Sequence, residues 1–283
     1  RLDNLVFKIR SNHKCNEILI SCSYIDGIIK PQCEKGKEKG CGERGSMATT
    51  LAIQNLGIWG DSLLKGIILD ETDGKYRPLK QCSVYLFNKV FPLSIKNNSR
   101  FGCTAPKALD NLERSLKKGF HADAVLLEFG GNDCDYNWVE VSEHPEEEHQ
   151  PHTPFEEFTA TMKKMVHILL EHNIRPLLMN LPPIDATRYF DWISQLKGVN
   201  GERVLQWLKQ KDIIYRQQER YSLAIDKLAY TEGMPLIDVR DRFLTLRNYR
   251  DYLCLDGIHL NEQGQKILGE TFSSYAKSQL LTG

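Results

Sequence analysis

Four short polar segments carry residue types that together could perform acyl chemistry. In chain order they are Gly60-Asp61-Ser62-Leu63, a single glycine at Gly102, Gly131-Asn132-Asp133 and Asp256-Gly257-Ile258-His259. Any one of them alone is explained more simply as a turn or a helix cap, because Gly, Asn, Asp and Ser all favour such positions. Their occurrence in one chain, each on a loop next to an apolar segment, makes coincidence the poorer explanation.

Ser62, His259 and Asp256 supply a nucleophile, a general base and an orienting carboxylate. A serine hydroxyl is a weak nucleophile at neutral pH and needs an adjacent base. His259 can take the Ser62 proton and later return it to the leaving group. Asp256, three residues before His259, can hold the imidazole tautomer and stabilise the imidazolium. These roles predict a serine hydrolase.

Three donors are candidates for stabilising the oxyanion of a tetrahedral intermediate. That charge needs fixed hydrogen-bond donors where it develops. The backbone N–H groups of Ser62 and Gly102 and the side-chain amide of Asn132 can provide them. Gly102 lacks a Cβ, which lets a substrate approach the backbone closely. Asp61, beside the nucleophile, is a candidate substrate-binding residue.

On these residues the chain resembles the SGNH, or GDSL-type, hydrolases. Their pattern is a GDS nucleophile block, an oxyanion glycine, a GxND block and a C-terminal DxxH block. Ser62, Gly102, Asn132 and His259 match the four name-giving residues, and Asp256 matches the triad acid. The resemblance spans residues 56–268. It implies the SGNH-hydrolase fold, an acyl-serine intermediate, and neither a metal nor an organic cofactor.

The segment around Gly102 departs from the pattern of that family. The family often has Asn-x-Gly-x-x-Gly there, whereas residues 97–102 read Asn-Asn-Ser-Arg-Phe-Gly. Ser99 takes the place of the first glycine, so the alignment of the donor residue stays open. Cys103 and Cys134, which adjoin the two oxyanion blocks, are interpreted as small residues near the site, because the base and acid are already assigned to Ser62.

The segments between the blocks alternate between strand-like and helix-like patterns. Apolar runs predict five strands at 52–59, 93–95, 124–129, 176–181 and 235–239. Apolar periodicity predicts helices at 77–90, 105–118, 154–173, 213–232 and 262–280. This alternation predicts an α/β fold, a three-layer α/β/α flavodoxin-like sandwich with a five-stranded parallel sheet. Ser62, Gly102 and Asn132 then meet at the carboxyl ends of strands, where such folds bind ligands. We also expect Thr153 to cap the helix that follows it and a helix after Ser62 to point its N-terminus at the site.

Two insertions flank the expected site. Residues 134–153 contain His144, His149 and His152 among several glutamates, and we interpret them as a solvated acidic loop that overhangs the pocket. A metal site is the sharper alternative, but the histidines lack the spacing that a helix would fix. Residues 185–212 are predicted to be helical. Their aromatic and apolar side chains could line an acyl or leaving-group pocket, although core packing explains each one more simply: Tyr189, Phe190, Trp192, Trp207 and Leu208.

Composition excludes several classes of protein. The 283 residues carry 37 acidic and 37 basic side chains, so the formal net charge is zero and there is no basic excess for nucleic acid. No apolar run reaches the roughly 18 residues that suggest a membrane span. The N-terminus lacks the pattern of a secretion signal, and the eight scattered cysteines suit reduced thiols. We therefore expect a cytoplasmic protein that binds neither nucleic acid nor membrane.

Residues 1–46 differ from the hydrolase domain expected at 47–283. They hold four of the cysteines and end in a run rich in Lys, Glu and Gly. Without a CxxC pair a zinc site is the weaker interpretation, and a poorly ordered extension is the stronger one. A third interpretation is that Met47 is the natural start, because Met-Ala-Thr-Thr leads at once into the first strand.

The sequence therefore predicts a serine esterase that cleaves a carboxylic ester or a thioester, with acetyl preferred, on a small molecule or an acylated carbohydrate. An acyltransferase with the same triad is the alternative among enzymes. A non-catalytic flavodoxin-like ligand-binding domain is a rival from another class, although both GxGxxG and GxxxxGK[ST] are absent. A protein-interaction module would depend on residues 1–46 and the acidic loop.

Overall fold

The computed structural model describes residues 53–279. The chain divides into two units, residues 1–47 and 48–283, and every described residue belongs to the second unit. The predictions made for residues 1–46 lie outside the described residues. Within residues 53–279, no helix combines the length and apolar character that crossing a membrane requires.

The described chain alternates strands with helices, as the apolar pattern predicts. The strands are β1 (Asn55–Trp59), β2 (Ile67–Asp70), β3 (Lys75–Pro78), β4 (Ser94–Asn97), β5 (Ala124–Leu127), β6 (Arg175–Met179) and β7 (Leu236–Ile237). The helices are α1 (Ser83–Val90), α2 (Ala105–Lys117), α3 (Trp138–Glu143), α4 (Phe155–Glu171), α5 (Ala186–Ile193), α6 (Gly201–Leu208), α7 (Asp212–Glu232), α8 (Val239–Leu244) and α9 (Glu262–Gln279). A 3₁₀ turn covers Tyr249–Tyr252.

Five of these strands form one parallel sheet in the order β4-β1-β5-β6-β7. Counting only these strands along the chain, the order is 2-1-3-4-5, which is the flavodoxin-like arrangement. The chain runs outward from β1 to β4 and then crosses to β5 on the other side of β1. The carboxyl ends of β1 and β5 therefore border the point where the strand order reverses, which is where open α/β sheets bind their ligands.

Helices cover both faces of this sheet, because successive strand residues point to opposite sides. Trp59, Val125 and Leu127 face the layer of α2, α4 and α7. Ile58 and Leu126 face the layer of α1, α8 and α9. A third apolar cluster lies outside the two layers and joins α3, α5 and α6. The fold is thus the three-layer α/β/α sandwich that the sequence predicts.

The structure corrects several of the sequence-based predictions. The segment 134–153, predicted to be a solvated loop, contains α3, because Trp138 and Val141 are buried. Residues 67–78 form the antiparallel hairpin β2–β3, so the helix predicted at 77–90 begins only at Ser83. No helix follows Ser62, because a turn over residues 61–66 leads directly into β2. The strand predicted at 235–239 is two residues long, since Asp238 caps α8 by accepting a hydrogen bond from the backbone N–H of Asp241.

Candidate active site

Ser62 lies on a tight turn at the end of β1 that several side chains hold in shape. Asp61 Oδ1 accepts the backbone N–H of Leu63 at 2.8 Å. From α9, Gln265 donates to the carbonyl of Leu63 at 3.1 Å. From the end of β4, Asn97 donates to the carbonyl of Leu64 at 2.9 Å. The position of Ser62 is therefore set by three elements that meet at the carboxyl edge of the sheet.

Asp256 and His259 lie on the loop that leads into α9, and this loop is folded around the Asp256 carboxylate. Asp256 Oδ1 accepts the backbone N–H groups of Ile258 and His259, each at 3.0 Å. Gly257, which lies between Asp256 and these two donors, has a positive φ of 75°. A Cβ at residue 257 would lie 2.6 Å from the carbonyl oxygen of Asp185, so glycine is required there.

The loops bring Ser62, His259 and Asp256 into one hydrogen-bonded series. His259 Nε2 lies 2.9 Å from Ser62 Oγ, and His259 Nδ1 lies 2.7 Å from Asp256 Oδ2. Asp256 is fully buried, while Ser62 and His259 are each 8% exposed. Burial favours the neutral carboxyl, but the hydrogen bond and charge of His259 and the two backbone donors outweigh it, so the pKa of Asp256 lies below its usual value. An imidazole held between a hydroxyl and a carboxylate in this way can take the hydroxyl proton.

Asn132 lies after β5 and reaches the same site. Its side-chain amide donates to Asp61 Oδ2 at 2.8 Å, which links the third polar segment to the turn that carries Ser62. Its neighbour Asp133 shapes the loop by accepting from Ala105 N, Gly130 N and Thr153 Oγ1 at 2.7 to 3.0 Å. The Thr153 hydroxyl therefore holds this loop and does not cap α4 as the sequence predicts. The N-cap of α4 is Pro154, which makes no side-chain hydrogen bond to the helix.

Each of the three candidate oxyanion donors has an N–H group that makes no hydrogen bond within residues 53–279. Within residues 53–279, the backbone N–H groups of Ser62 and Gly102 make no hydrogen bond, and one N–H of the Asn132 amide is also without a partner. Gly102 has a positive φ of 67° in a turn next to Ser62, where Arg100 N donates to the carbonyl of Gly60. Gly102 is exposed and lies outside the lining of the cavity described next.

A cavity of about 100 Å³ opens beside Ser62 and His259. Most of its wall is apolar and comes from both insertions, the loop after β6, helix α7 and the loop before α9: Trp138, Leu181, Ile184, Tyr189, Ile214 and Ile258. Five side chains in residues 185–212 are candidates from the sequence to line a pocket, and of these Tyr189 lines this cavity. Trp207 instead packs on Tyr136, with ring centroids 5.0 Å apart.

The carboxyl group of Glu128 lies buried next to the turn that carries Ser62. Glu128 is fully buried at the end of β5, and its Oε2 accepts the backbone N–H of Asp61 at 3.2 Å. Its Oε1 has no hydrogen-bond partner within the described residues. Burial, reinforced by the nearby charge of Asp61, raises the pKa of Glu128 well above its usual value. Burial raises the pKa of Asp61 as well, opposed by the hydrogen bonds that its carboxylate accepts from Leu63 N and the Asn132 amide.

Two residues at the site have no role in the sequence-based predictions. Glu128 lies within the strand predicted at 124–129, which assigns it no chemical role. Tyr76, on β3, donates its hydroxyl to Asp256 Oδ2 at 3.0 Å and lies just before the helix predicted at 77–90. The signal for Tyr76 was the Asp73-Gly74 pair between two short strand-like segments, which is typical of a hairpin turn.

Among residues 53–279, no other histidine hydrogen-bonds to the side chains of Ser62, Asp256 or His259, and Cys134 only lines the cavity. His152 Nδ1 contacts the Asn132 carbonyl at 3.1 Å, and His149 contacts a backbone carbonyl. The exposed side chains of His144, Glu146 and Glu147 could surround an ion, but such acidic groups are common on surfaces. Burial raises the pKa of the Cys134 thiol, which disfavours the nucleophilic thiolate.

Comparison with known proteins gives matches of one kind. A model of the GDSL-like Lipase/Acylhydrolase family matches residues 58–267. The protein named GDSL esterase/lipase CPRD49 from Arabidopsis thaliana is 24% identical over 172 residues, which are 59% of this chain and 60% of that protein. The chain thus spans about three fifths of the length of this relative.

Solved structures of similar fold include a lipase/acylhydrolase from Enterococcus faecalis, with a TM-score of 0.57, 17% identity, and coverage of 80% of this chain and 97% of that chain. A catalytic mutant of the acetylxylan esterase Axe2 from Geobacillus stearothermophilus has a TM-score of 0.54, 18% identity, and coverage of 77% and 92%.

Proposed function

The chain belongs to the GDSL-like lipase/acylhydrolase family, and from this membership and the geometry of the site we propose that it is an esterase with Ser62 as its nucleophile. The observation that carries the proposal is the continuous series from Ser62 Oγ through the His259 ring to Asp256, with distances of 2.9 and 2.7 Å. The apolar cavity beside Ser62 supplies the place for an acyl group.

In the proposed acylation step, Ser62 Oγ attacks the ester carbonyl carbon while His259 Nε2 takes the hydroxyl proton. The tetrahedral intermediate collapses, the bond to the leaving oxygen breaks, and His259 gives that oxygen its proton. Water then enters, loses a proton to His259 and attacks the acyl-serine ester. Collapse of the second intermediate returns the proton to Ser62 and releases the carboxylic acid.

The oxyanion of both intermediates would be held by the N–H groups of Ser62 and Gly102 and by the amide of Asn132. This assignment is supported by the free N–H groups of these three residues within the described chain. It requires that the substrate oxygen bind on the side of Ser62 that the Gly102 loop borders. Asp61 accepts a hydrogen bond from Asn132 and orients its amide. Because Asp61 also lines the cavity, it would contact a substrate bound there.

We propose a short acyl ester as the substrate, with acetyl preferred, on a small molecule or a carbohydrate. The acetylxylan esterase among the proteins of similar fold supports the acetyl group and the carbohydrate. The roles of nucleophile, base and oxyanion donor are all filled by side chains and backbone, so the proposed mechanism requires no metal or cofactor. Activity on p-nitrophenyl acetate should therefore survive dialysis against EDTA.

A fluorophosphonate probe tests the proposal directly, because it forms a covalent bond with an activated serine. We expect the intact mass to rise by one adduct, with peptide mapping that places the adduct on Ser62. Ser62→Ala should abolish labelling and lower turnover of p-nitrophenyl acetate by several orders of magnitude. Ser278→Ala, which changes an exposed serine of α9, is the matched control and should behave as wild type.

An unlabelled protein, or a Ser62→Ala variant that hydrolyses the ester like wild type, would contradict the covalent mechanism. Adding a sugar alcohol as a competing acceptor separates hydrolysis from acyl transfer. If acetylated sugar replaces free acetate as the main product, the acyltransferase alternative is correct.

A further inference from the structure

The β2–β3 hairpin places Tyr76 against the Asp256–His259 pair. The Tyr76 hydroxyl donates to Asp256 Oδ2 at 3.0 Å, and its ring centroid lies 4.8 Å from that of His259. A second contact ties the same hairpin to the same loop, since Leu69 N donates to Cys254 Sγ at 3.4 Å. Leu69 and Tyr76 are paired in the hairpin register, so the two contacts lie at the same position along the hairpin.

The Tyr76 hydroxyl completes the hydrogen bonding of the Asp256 carboxylate. An ionised carboxylate offers about four lone-pair positions. Oδ1 accepts two backbone N–H groups, and Oδ2 accepts His259 Nδ1 and the Tyr76 hydroxyl. Because Asp256 is fully buried, each position must be filled from within the protein. Without the Tyr76 hydroxyl, Oδ2 would be held by the imidazole alone.

We propose that Tyr76 is a positioning residue for the reaction, one that orients Asp256 Oδ2 towards His259 and tempers the negative charge that His259 experiences. The inference deepens the proposed function and rests on it. Two donors on Oδ2 fix the rotation of the carboxylate, which in turn fixes the imidazole plane for Ser62. The positive end of the hydroxyl dipole also lessens the stabilisation that the carboxylate gives to the imidazolium, so that Nε2 releases its proton to the leaving group more readily.

The phenol is suited to donate rather than to ionise. Burial and the charge of Asp256 raise the pKa of Tyr76 above its usual value, so its proton is retained over the working pH range. The other titratable groups that face the pair are Asp61, whose charge acts on His259, and Cys254, whose pKa burial raises to about 12. Neither group changes when Tyr76 is replaced, so a comparison of variants isolates the hydroxyl.

Tyr76→Phe tests the proposal, because it removes the hydroxyl and keeps the ring that packs on Phe101 at 5.3 Å. Tyr85→Phe, at a tyrosine of α1 that is 50% exposed, is the matched control. With p-nitrophenyl acetate we expect kcat of Tyr76→Phe to fall about ten- to hundredfold, as for the loss of a hydrogen bond to a charged group, with KM little changed. The midpoint of the rising limb of kcat/KM against pH should move to higher pH, while the melting temperature changes by only a few degrees.

A readout that needs no turnover separates this inference from the proposed function. In the inactive Ser62→Ala protein, NMR titration of the His259 ring protons should show a midpoint at higher pH once Tyr76→Phe is added. Profiles and ring titrations that superimpose on wild type would overturn the proposal. A fall in activity with unchanged midpoints and a much lower melting temperature would also overturn it, because Tyr76 would then serve only packing. If wild type neither reacts with fluorophosphonate nor hydrolyses esters, the proposed function fails, and the ring titration still decides the role of Tyr76.

Discussion

Asn132 is connected to the interior through two carboxyl groups rather than standing alone on a loop. Its amide donates to Asp61, and Asp61 N donates to the buried Glu128. This chain of contacts fixes one N–H of the Asn132 amide and thereby aims the other. A donor held in place before the reaction stabilises a developing charge without reorganisation, which is the basis of electrostatic catalysis.

We therefore predict that Asn132→Ala lowers kcat by roughly 10²–10³ with little change in KM, because the interaction is made only in the transition state. Steady-state kinetics with p-nitrophenyl acetate measure both constants. A rise in KM at unchanged kcat would instead make Asn132 a substrate-binding residue.

Glu128 gives a prediction about stability and pH. Its pKa is raised by burial, so the native state holds a proton that the unfolded state has lost above its ordinary carboxyl pKa. Above that pKa, native stability falls with rising pH until Glu128 itself ionises, by up to about 1.4 kcal/mol for each pH unit. Glu128→Gln keeps the acceptor for Asp61 N and carries no proton to lose.

Glu128→Gln should therefore melt at a higher temperature than wild type at pH 8, and the gain should shrink as the pH falls towards 4.5. For a domain of this size, each kcal/mol corresponds to roughly 2–4 °C. Thermal unfolding at several pH values measures the gain, and Glu157→Gln, an exposed change in α4, is the control. A gain independent of pH would show that Glu128 does not carry the extra proton.

At the level of the elements, the loop before α9 is held against α5 through Gly257. A Cβ there would lie 2.6 Å from the Asp185 carbonyl and 2.8 Å from Arg188 Cβ, in addition to the cost of its positive φ. Gly74, in the β2–β3 turn, has a similar φ of 67° but open space around its Cβ position.

Gly257→Ala should accordingly destabilise the fold clearly more than Gly74→Ala, which incurs only the backbone cost of about 1 kcal/mol. It should also lower kcat, since the loop carries Asp256 and His259. Chemical denaturation of both variants, with kinetics on each, provides the comparison. Equal losses of stability in the two variants would mean that the loop can move away from α5 without cost.

The main sheet and the four polar blocks could be predicted from the sequence because each rests on a local signal. Buried parallel strands appear as apolar runs such as residues 124–127, and polar residues follow them where the chain leaves the sheet. The β2–β3 hairpin is not predicted because its strands have only four residues each and the end of β3 overlaps the helix predicted at 77–90. Only tertiary contact decides such short segments, and the contact of Tyr76 with Asp256 joins residues 180 positions apart.

Considered as a whole, the molecule contains its sheet, both helical layers and every proposed site residue within residues 53–279. We therefore predict that residues 1–46 are dispensable for folding and hydrolysis. A chain that begins at Met47 should be soluble, with a melting temperature within a few degrees of the full chain and a similar kcat/KM. If it is insoluble or melts far lower, residues 1–46 contribute to the core and the boundary at residue 47 is wrong.

The two margins of the sheet have a bearing on how the protein behaves at high concentration. An outermost strand with free backbone groups is a template on which a strand of another molecule can grow. Here β7 is two residues long and follows Pro235, and β4 carries the exposed Lys96 in its four residues. Both edge strands offer a strand of another molecule few backbone N–H and C=O groups to pair with. Within residues 53–279, pairing between the sheet edges of two native molecules is therefore disfavoured.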